Sequence, residues 1–247
     1  MRVILTKAHI NCAPVLKTVL MSLMLSFSLS SFAQKIMGTQ GLMNIPTADM
    51  RSPKTFVGGV DYIASGLTNY SFPVYNYFID FTPFSFVELT YRSTLLKMKY
   101  ELPSDSYCEQ DRSFTVRLRP LEEADDSFIP SFVIGSNDFY SYVGHSFFST
   151  VYGVITKHLH IVGYCSVGGS FGYSKKIADG VVYDGFFGGV EISPDFLKGF
   201  SAMVEYDTKG MNYGFEIKVQ DHLNLLFYTR EFDGVCGGIS YQYTIKY

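Results

Sequence analysis

The sequence predicts an all-β chain: a single antiparallel transmembrane β-barrel of about twelve strands, within a range of ten to fourteen. Three observations predict it. The last nine residues, Ile239-Ser-Tyr241-Gln-Tyr243-Thr-Ile245-Lys-Tyr247, place large apolar or aromatic side chains at odd positions and polar ones at even positions. Successive side chains of a strand point to opposite faces, so such a strand is apolar on one face and polar on the other. Beyond residue 33 there is no apolar run near the ~20 residues a helical span requires. Yet 47% of residues are hydrophobic and 17% aromatic, and only 17% are charged, below the usual quarter. Finally, alternating segments recur along the chain, and the connections between them are long and short by turns.

In chain order, Arg2, Lys7 and Lys17 precede an apolar stretch over 18–29 and a small-x-small site at Ser31-Phe32-Ala33. This is the layout of a secretory signal peptide, expected over 1–33, and its apolar stretch is too short to span a bilayer. Removing those three basic residues leaves 17 basic against 23 acidic, a formal charge of −6. Acidity excludes a nucleic-acid partner, which would require basic patches against phosphate. Residues 34–53 are too irregular for a strand. Gly41 and Pro46 interrupt them, and Asn44, Thr47 and Asp49 offer polar groups, so a plug or latch inside or across one mouth of a barrel over 54–247 is expected.

The barrel strands follow from alternation. Phe56, Gly58, Val60 and Tyr62 mark the first, and Tyr75, Tyr77, Ile79 and Phe81 the second, before a Thr82-Pro83-Phe84 turn. Val87, Leu89 and Tyr91 mark the third, and Phe114, Val116 and Leu118 the fourth. Strands five to seven are expected over 131–137, 147–157 and 159–171, with a turn at Lys157-His158, and the eighth over 182–192. Phe200 to Tyr206, then Tyr213 to Val219, then Leu223, Leu225 and Phe227 mark the next three, and 235–247 the last. An even count puts both termini on one side. Long connections (65–73, 99–110, 139–146, 173–181) then fall opposite the termini and short ones beside them, with an acidic link over 121–129 as the exception. Tyr243, Ile245 and Tyr247 resemble the C-terminal signal by which the outer-membrane assembly machinery takes up barrels. That resemblance implies the machinery and outer-membrane lipid as partners.

Glu88, Arg92, Arg117, Arg119, Glu205, Asp207, Glu216 and Lys218 each alternate with large apolar neighbours and are expected to face the lumen. A charge facing lipid costs about 2–4 kcal/mol at the bilayer midplane. These residues suit either a structural network of ion pairs or a lining that handles a hydrophilic solute. Tyr62, Tyr91, Tyr206 and Tyr213 fall on the opposite, outward faces. No catalytic, cofactor-binding or metal-binding residue is assigned. His158 and His160 share a strand face but have no third ligand, and no nucleophile motif accompanies the serines and histidines. Cys108, Cys165 and Cys236 have no metal-like spacing; Cys108 is placed in a polar loop.

Several segments together are similar to the YjbH (GfcD-like) family of exopolysaccharide biosynthesis proteins. They are 41–50 (GLMNIPTADM), 87–92 (VELTYR), 111–118 (DRSFTVRL), 130–138 (PSFVIGSND), 188–191 (GGVE) and 204–207 (VEYD). The resemblance implies an outer-membrane barrel of a Gram-negative bacterium. It also implies a role in exopolysaccharide or capsule production or export, with polysaccharide or export proteins as partners, and it carries over no catalytic residue. The chain is shorter than the large members of the family. The expectation is therefore a non-enzymatic barrel supporting exopolysaccharide export. The alternatives are a structural or adhesive surface barrel and, third, an outer-membrane hydrolase.

Overall fold

Twelve strands run as an uninterrupted antiparallel meander that closes on itself. The structure, a computed structural model, describes residues 37–65, 72–97, 107–124, 128–138, 149–177 and 184–246. The expected signal peptide (1–33) and Tyr247 lie outside the described residues. The strands are β1 (Thr55–Ile63), β2 (Val74–Phe84), β3 (Val87–Lys97), β4 (Tyr107–Leu121), β5 (Ser131–Asn137) and β6 (Thr150–Ile161). They continue with β7 (Cys165–Lys176), β8 (Gly185–Pro194), β9 (Phe200–Tyr206), β10 (Met211–Val219), β11 (Leu223–Arg230) and β12 (Cys236–Thr244). β1 closes on β12 from Thr55↔Thr244 to Tyr62↔Gly237, and the paired hydroxyls of Thr55 and Thr244 lie 2.8 Å apart at the seam. Closure gives each strand two partners and leaves no edge open.

Alternation decides which way each side chain points. In β5, Ser131, Val133 and Asn137 are buried, while Phe132 and Ile134 look outward. The outer face is apolar, with Ile79 60% and Leu159 63% exposed. Aromatic rings on neighbouring strands pair there, Phe56 on Phe81 at 4.2 Å and Phe215 on Phe227 at 5.3 Å, as cross-strand neighbours do. The inner face carries Asp80, Glu88, Arg92, Arg117, Glu205 and Glu216. Inner glycines make room for inner rings: a Cβ on Gly135 would lie 2.2 Å from the Tyr152 ring.

The turn expected at Lys157-His158 lies instead at 162–164. Alternation continues through Thr156, His158 and His160, so nothing breaks the strand there. Gly163 does break it, with a φ of 80° that side-chain-bearing residues rarely adopt, and the Tyr164 N–H donates to the Ile161 carbonyl at 2.9 Å. β4 begins at Tyr107, so Cys108 lies on a strand and not in a loop. The connections 85–86, 122–130, 162–164, 195–199 and 220–222 share one rim with both ends of the barrel, hereafter the terminal rim.

Residues 37–51 occupy the interior, all of them buried except half-buried Asp49. Met37, Leu42, Met43, Ile45 and Met50 pack with inward-facing Val133, Val154, Phe187, Met203 and Leu226. Burying each such side chain contributes about 1.5–3 kcal/mol. The segment makes a tight turn in which Gly41 bridges Pro46 and the Leu42 N–H donates to the Ile45 carbonyl at 3.0 Å. Gly38, at a φ of 85°, lies so close to Phe78 that a Cβ would be 2.7 Å from its ring.

Candidate functional site

The turn at 41–46 leaves backbone N–H groups pointing at the wall, and a buried donor without an acceptor costs about 1–3 kcal/mol. Glu205 on β9 accepts three of them, from Met43 (2.9 Å), Asn44 (2.7 Å) and Ile45 (3.3 Å). Asn212 on β10 donates to the same carboxylate at 2.9 Å. The side chain of Asn44 is held at both ends. Its amide donates to Asp207 at 3.2 Å, and its oxygen accepts from the Tyr228 hydroxyl at 3.2 Å. Asp207 in turn accepts from Arg230. Strands β9 to β11 thus form one wall of a cradle whose acceptors match the donors of the turn.

The opposite wall grips the segment with a cation. Arg117 on β4 donates to the carbonyls of Gln40 (2.9 Å), Thr47 and Asp49 (3.3 Å), and pairs with Glu88 at 2.5 Å. Glu88 on β3 accepts the Gln40 N–H at 2.7 Å. Arg51, at the end of the segment, meets Asp80 at 2.7 Å and Glu88 at 3.5 Å. Asp80 also accepts from Thr90 at 2.5 Å. Thr156 on β6 takes the Ala48 N–H at 2.7 Å. The ends of the segment therefore contact β2–β4 and β6, while its turn contacts β9–β11, so the segment crosses the lumen.

At the terminal rim, Glu123 accepts from Lys157 and lies 3.0 Å from His158 Nδ1. The other His158 ring nitrogen is 3.8 Å from Asp49 of the internal segment. Partial burial works to raise the Glu123 carboxyl pKa, but the hydrogen bonds from Lys157 and His158 outweigh it and hold it below the ordinary value. At the opposite rim, partial burial and the neighbouring Arg230 charge lower the Lys209 ammonium pKa against the pull of Asp207.

Of the residues that alternation assigned to the lumen, Glu88, Arg92, Arg117, Arg119, Glu205, Glu216 and Lys218 lie on strands and Asp207 directly follows β9, and their surroundings differ. Glu88, Arg117, Glu205 and Asp207 bind the internal segment. Arg92 is buried and donates to the Met37 sulfur. Arg119 sits at the terminal rim, 2.7 Å from Glu122. Glu216 is buried and Lys218 half-buried on β10. Tyr62, Tyr91 and Tyr206 are exposed outside, as are Tyr243 and Ile245 near the end of β12. Sequence reasoning missed Arg51, Asp80, Asn212 and Thr156. Asp80 had a signal in its alternation with Ile79 and Phe81, which Phe78 on the same inner face obscured.

A family model described as YjbH, exopolysaccharide biosynthesis protein YbjH, matches residues 33–178, more than half of the chain. The match takes in the internal segment, Glu88, Arg92, Arg117 and Arg119, and strands β1 to β7. Glu205, Asp207, Glu216 and Lys218 lie beyond it, as do the 188–191 and 204–207 segments. No curated protein matches the chain.

Proposed function

The chain belongs to the YjbH family of exopolysaccharide biosynthesis proteins, and on that premise we propose that it is a non-enzymatic outer-membrane barrel supporting production or export of an exopolysaccharide. The observation that carries the membrane reading is the pairing of an apolar outer face with a charged inner one in a closed twelve-stranded wall. Only a structure that satisfies all its backbone hydrogen bonds internally can span a bilayer, and a closed barrel does so. The leader-like N-terminus and the short connections at the terminal rim support an orientation with that rim in the periplasm. Tyr243 and Ile245, outward on the closing strand, suit uptake by the assembly machinery.

Twelve strands enclose a lumen between the filled eight-stranded barrels and the open 16–18-stranded porins, and here residues 37–51 fill it. The resting protein is therefore closed, and polysaccharide or an export protein acts by moving the internal segment or by binding outside the lumen. The filled interior also favours a second reading, a structural surface barrel with no transported solute. Deleting the gene and measuring secreted exopolysaccharide decides between them. Loss of secretion, restored by the wild-type chain, supports the export role. Unchanged secretion in a strain whose outer membrane holds the protein supports the structural one. Recovery of the protein from the soluble periplasm contradicts both.

A further inference from the structure

We infer that the outer wall of β5–β7 carries a binding groove for one acyl chain of a phosphate-bearing lipid, with Lys175 as the headgroup contact. This rests on the membrane reading above. The groove measures about 360 Å³, within the roughly 300–1,000 Å³ of ligand sites. Gly153 forms its floor. Phe132 stands on the β5 side and Phe171 and Tyr173 on the β7 side; along β6, Ile155 follows Gly153 at one end, and Val151 with Lys175 closes the end towards the rim opposite the termini. Ring contacts with β8 brace that second side: Phe171 stacks on Phe186 at 5.8 Å, and Tyr173 meets the same ring edge-on at 4.9 Å.

The glycine is what opens the groove, and the barrel itself does not require it there. A Cβ on Gly153 would meet only the Phe132 ring, at 3.5 Å, an ordinary contact. Inward Gly172, by contrast, has no room for one, with the Phe187 ring 2.4 Å away. Lys175 is well exposed, and its ammonium lies 3.9 Å from the Asp184 carboxylate. That separation makes a weak surface pair, which a phosphate can displace. An apolar slot ending in a cation matches a lipid that pairs an acyl chain with an anionic headgroup.

The chain contains no tryptophan, so a single introduced indole reports on one place only. Tyr173→Trp reports on the groove. Tyr62→Trp, on the outer face of β1 near the same rim, is the control. Each variant is reconstituted in phosphatidylcholine vesicles containing either phosphatidylglycerol or phosphatidylcholine with brominated acyl chains, and quenching is measured. One lysine near a membrane surface favours anionic lipid by ~1 kcal/mol, about fivefold. The expected result is that brominated phosphatidylglycerol is preferred about fivefold at Trp-substituted position 173 and not at 62. Lys175→Gln should remove the preference, Asp184→Asn should increase it, and Gly153→Leu should weaken quenching by both lipids. Equal ratios at the two positions overturn the site. Absence of quenching by either lipid at position 62 overturns the membrane reading, and the groove with it.

Discussion

Glu205 accepts three consecutive backbone N–H groups of the internal turn from a position with almost no exposure to solvent. Glu205→Ala strands those donors and is expected to lower stability by about 3 kcal/mol, whereas Glu205→Gln keeps an acceptor and loses less. The temperature at which the compact, fast-migrating band disappears from unboiled gels reads both. Arg117 and Glu88 make a second test. Arg117→Met leaves the buried Glu88 carboxylate with only the longer 3.5 Å contact to Arg51, a loss of up to about 3–5 kcal/mol, and adding Glu88→Gln recovers much of it. A loss in the double variant equal to the sum of the two single losses would show that the pair is not coupled. Glu123 gives the pH dependence. Its folded pKa lies below the ordinary glutamate value of 4.5, so its contribution is present above that value and is lost as pH falls through the folded pKa. Wild type should therefore lose stability below about pH 4.5 more steeply than Glu123→Gln, by under about 1 kcal/mol for a partly exposed pair. Parallel acid profiles would show that Glu123 contributes nothing through its contacts with Lys157 and His158.

The internal segment behaves as an element of the core, not as a loose tail. Gly38 sits at a positive φ against the Phe78 ring, so Gly38→Ala is expected to destabilise by more than about 1 kcal/mol. Gly153→Ala, whose Cβ has room, should be nearly silent in the same melt. Period-two alternation made the twelve strands legible, and the charges at alternate positions marked the inner face. The β6–β7 turn was misplaced because the polar-apolar rhythm passes through His158 and His160, and only Gly163 ends the strand. The partners of those charges were not legible. Glu205 and Asn44 are 161 positions apart, and nothing local announces that a turn's donors will meet a carboxylate from β9. The apolar lining was hidden as well. Val133, Val154, Phe187, Met203 and Leu226 face inward among polar neighbours, and the Phe186-Phe187 pair puts a ring on each face of β8.

At the scale of the whole molecule, the wall and its filling make one folded unit. The wall supplies an apolar outer surface and a ring of inner acceptors and donors. Residues 37–51 supply the matching groups and the apolar side chains that pack against the inner wall. Under the proposed function a barrel built this way is closed at rest, and any role in moving polysaccharide depends on displacing the segment. Conductance across a planar bilayer tests that claim most directly, comparing the intact chain with a variant lacking residues 38–52. The intact chain is expected to give no stable conductance and the deletion variant discrete open steps, provided the variant still migrates as a folded barrel. A large, steady, ungated conductance from the intact chain would contradict it.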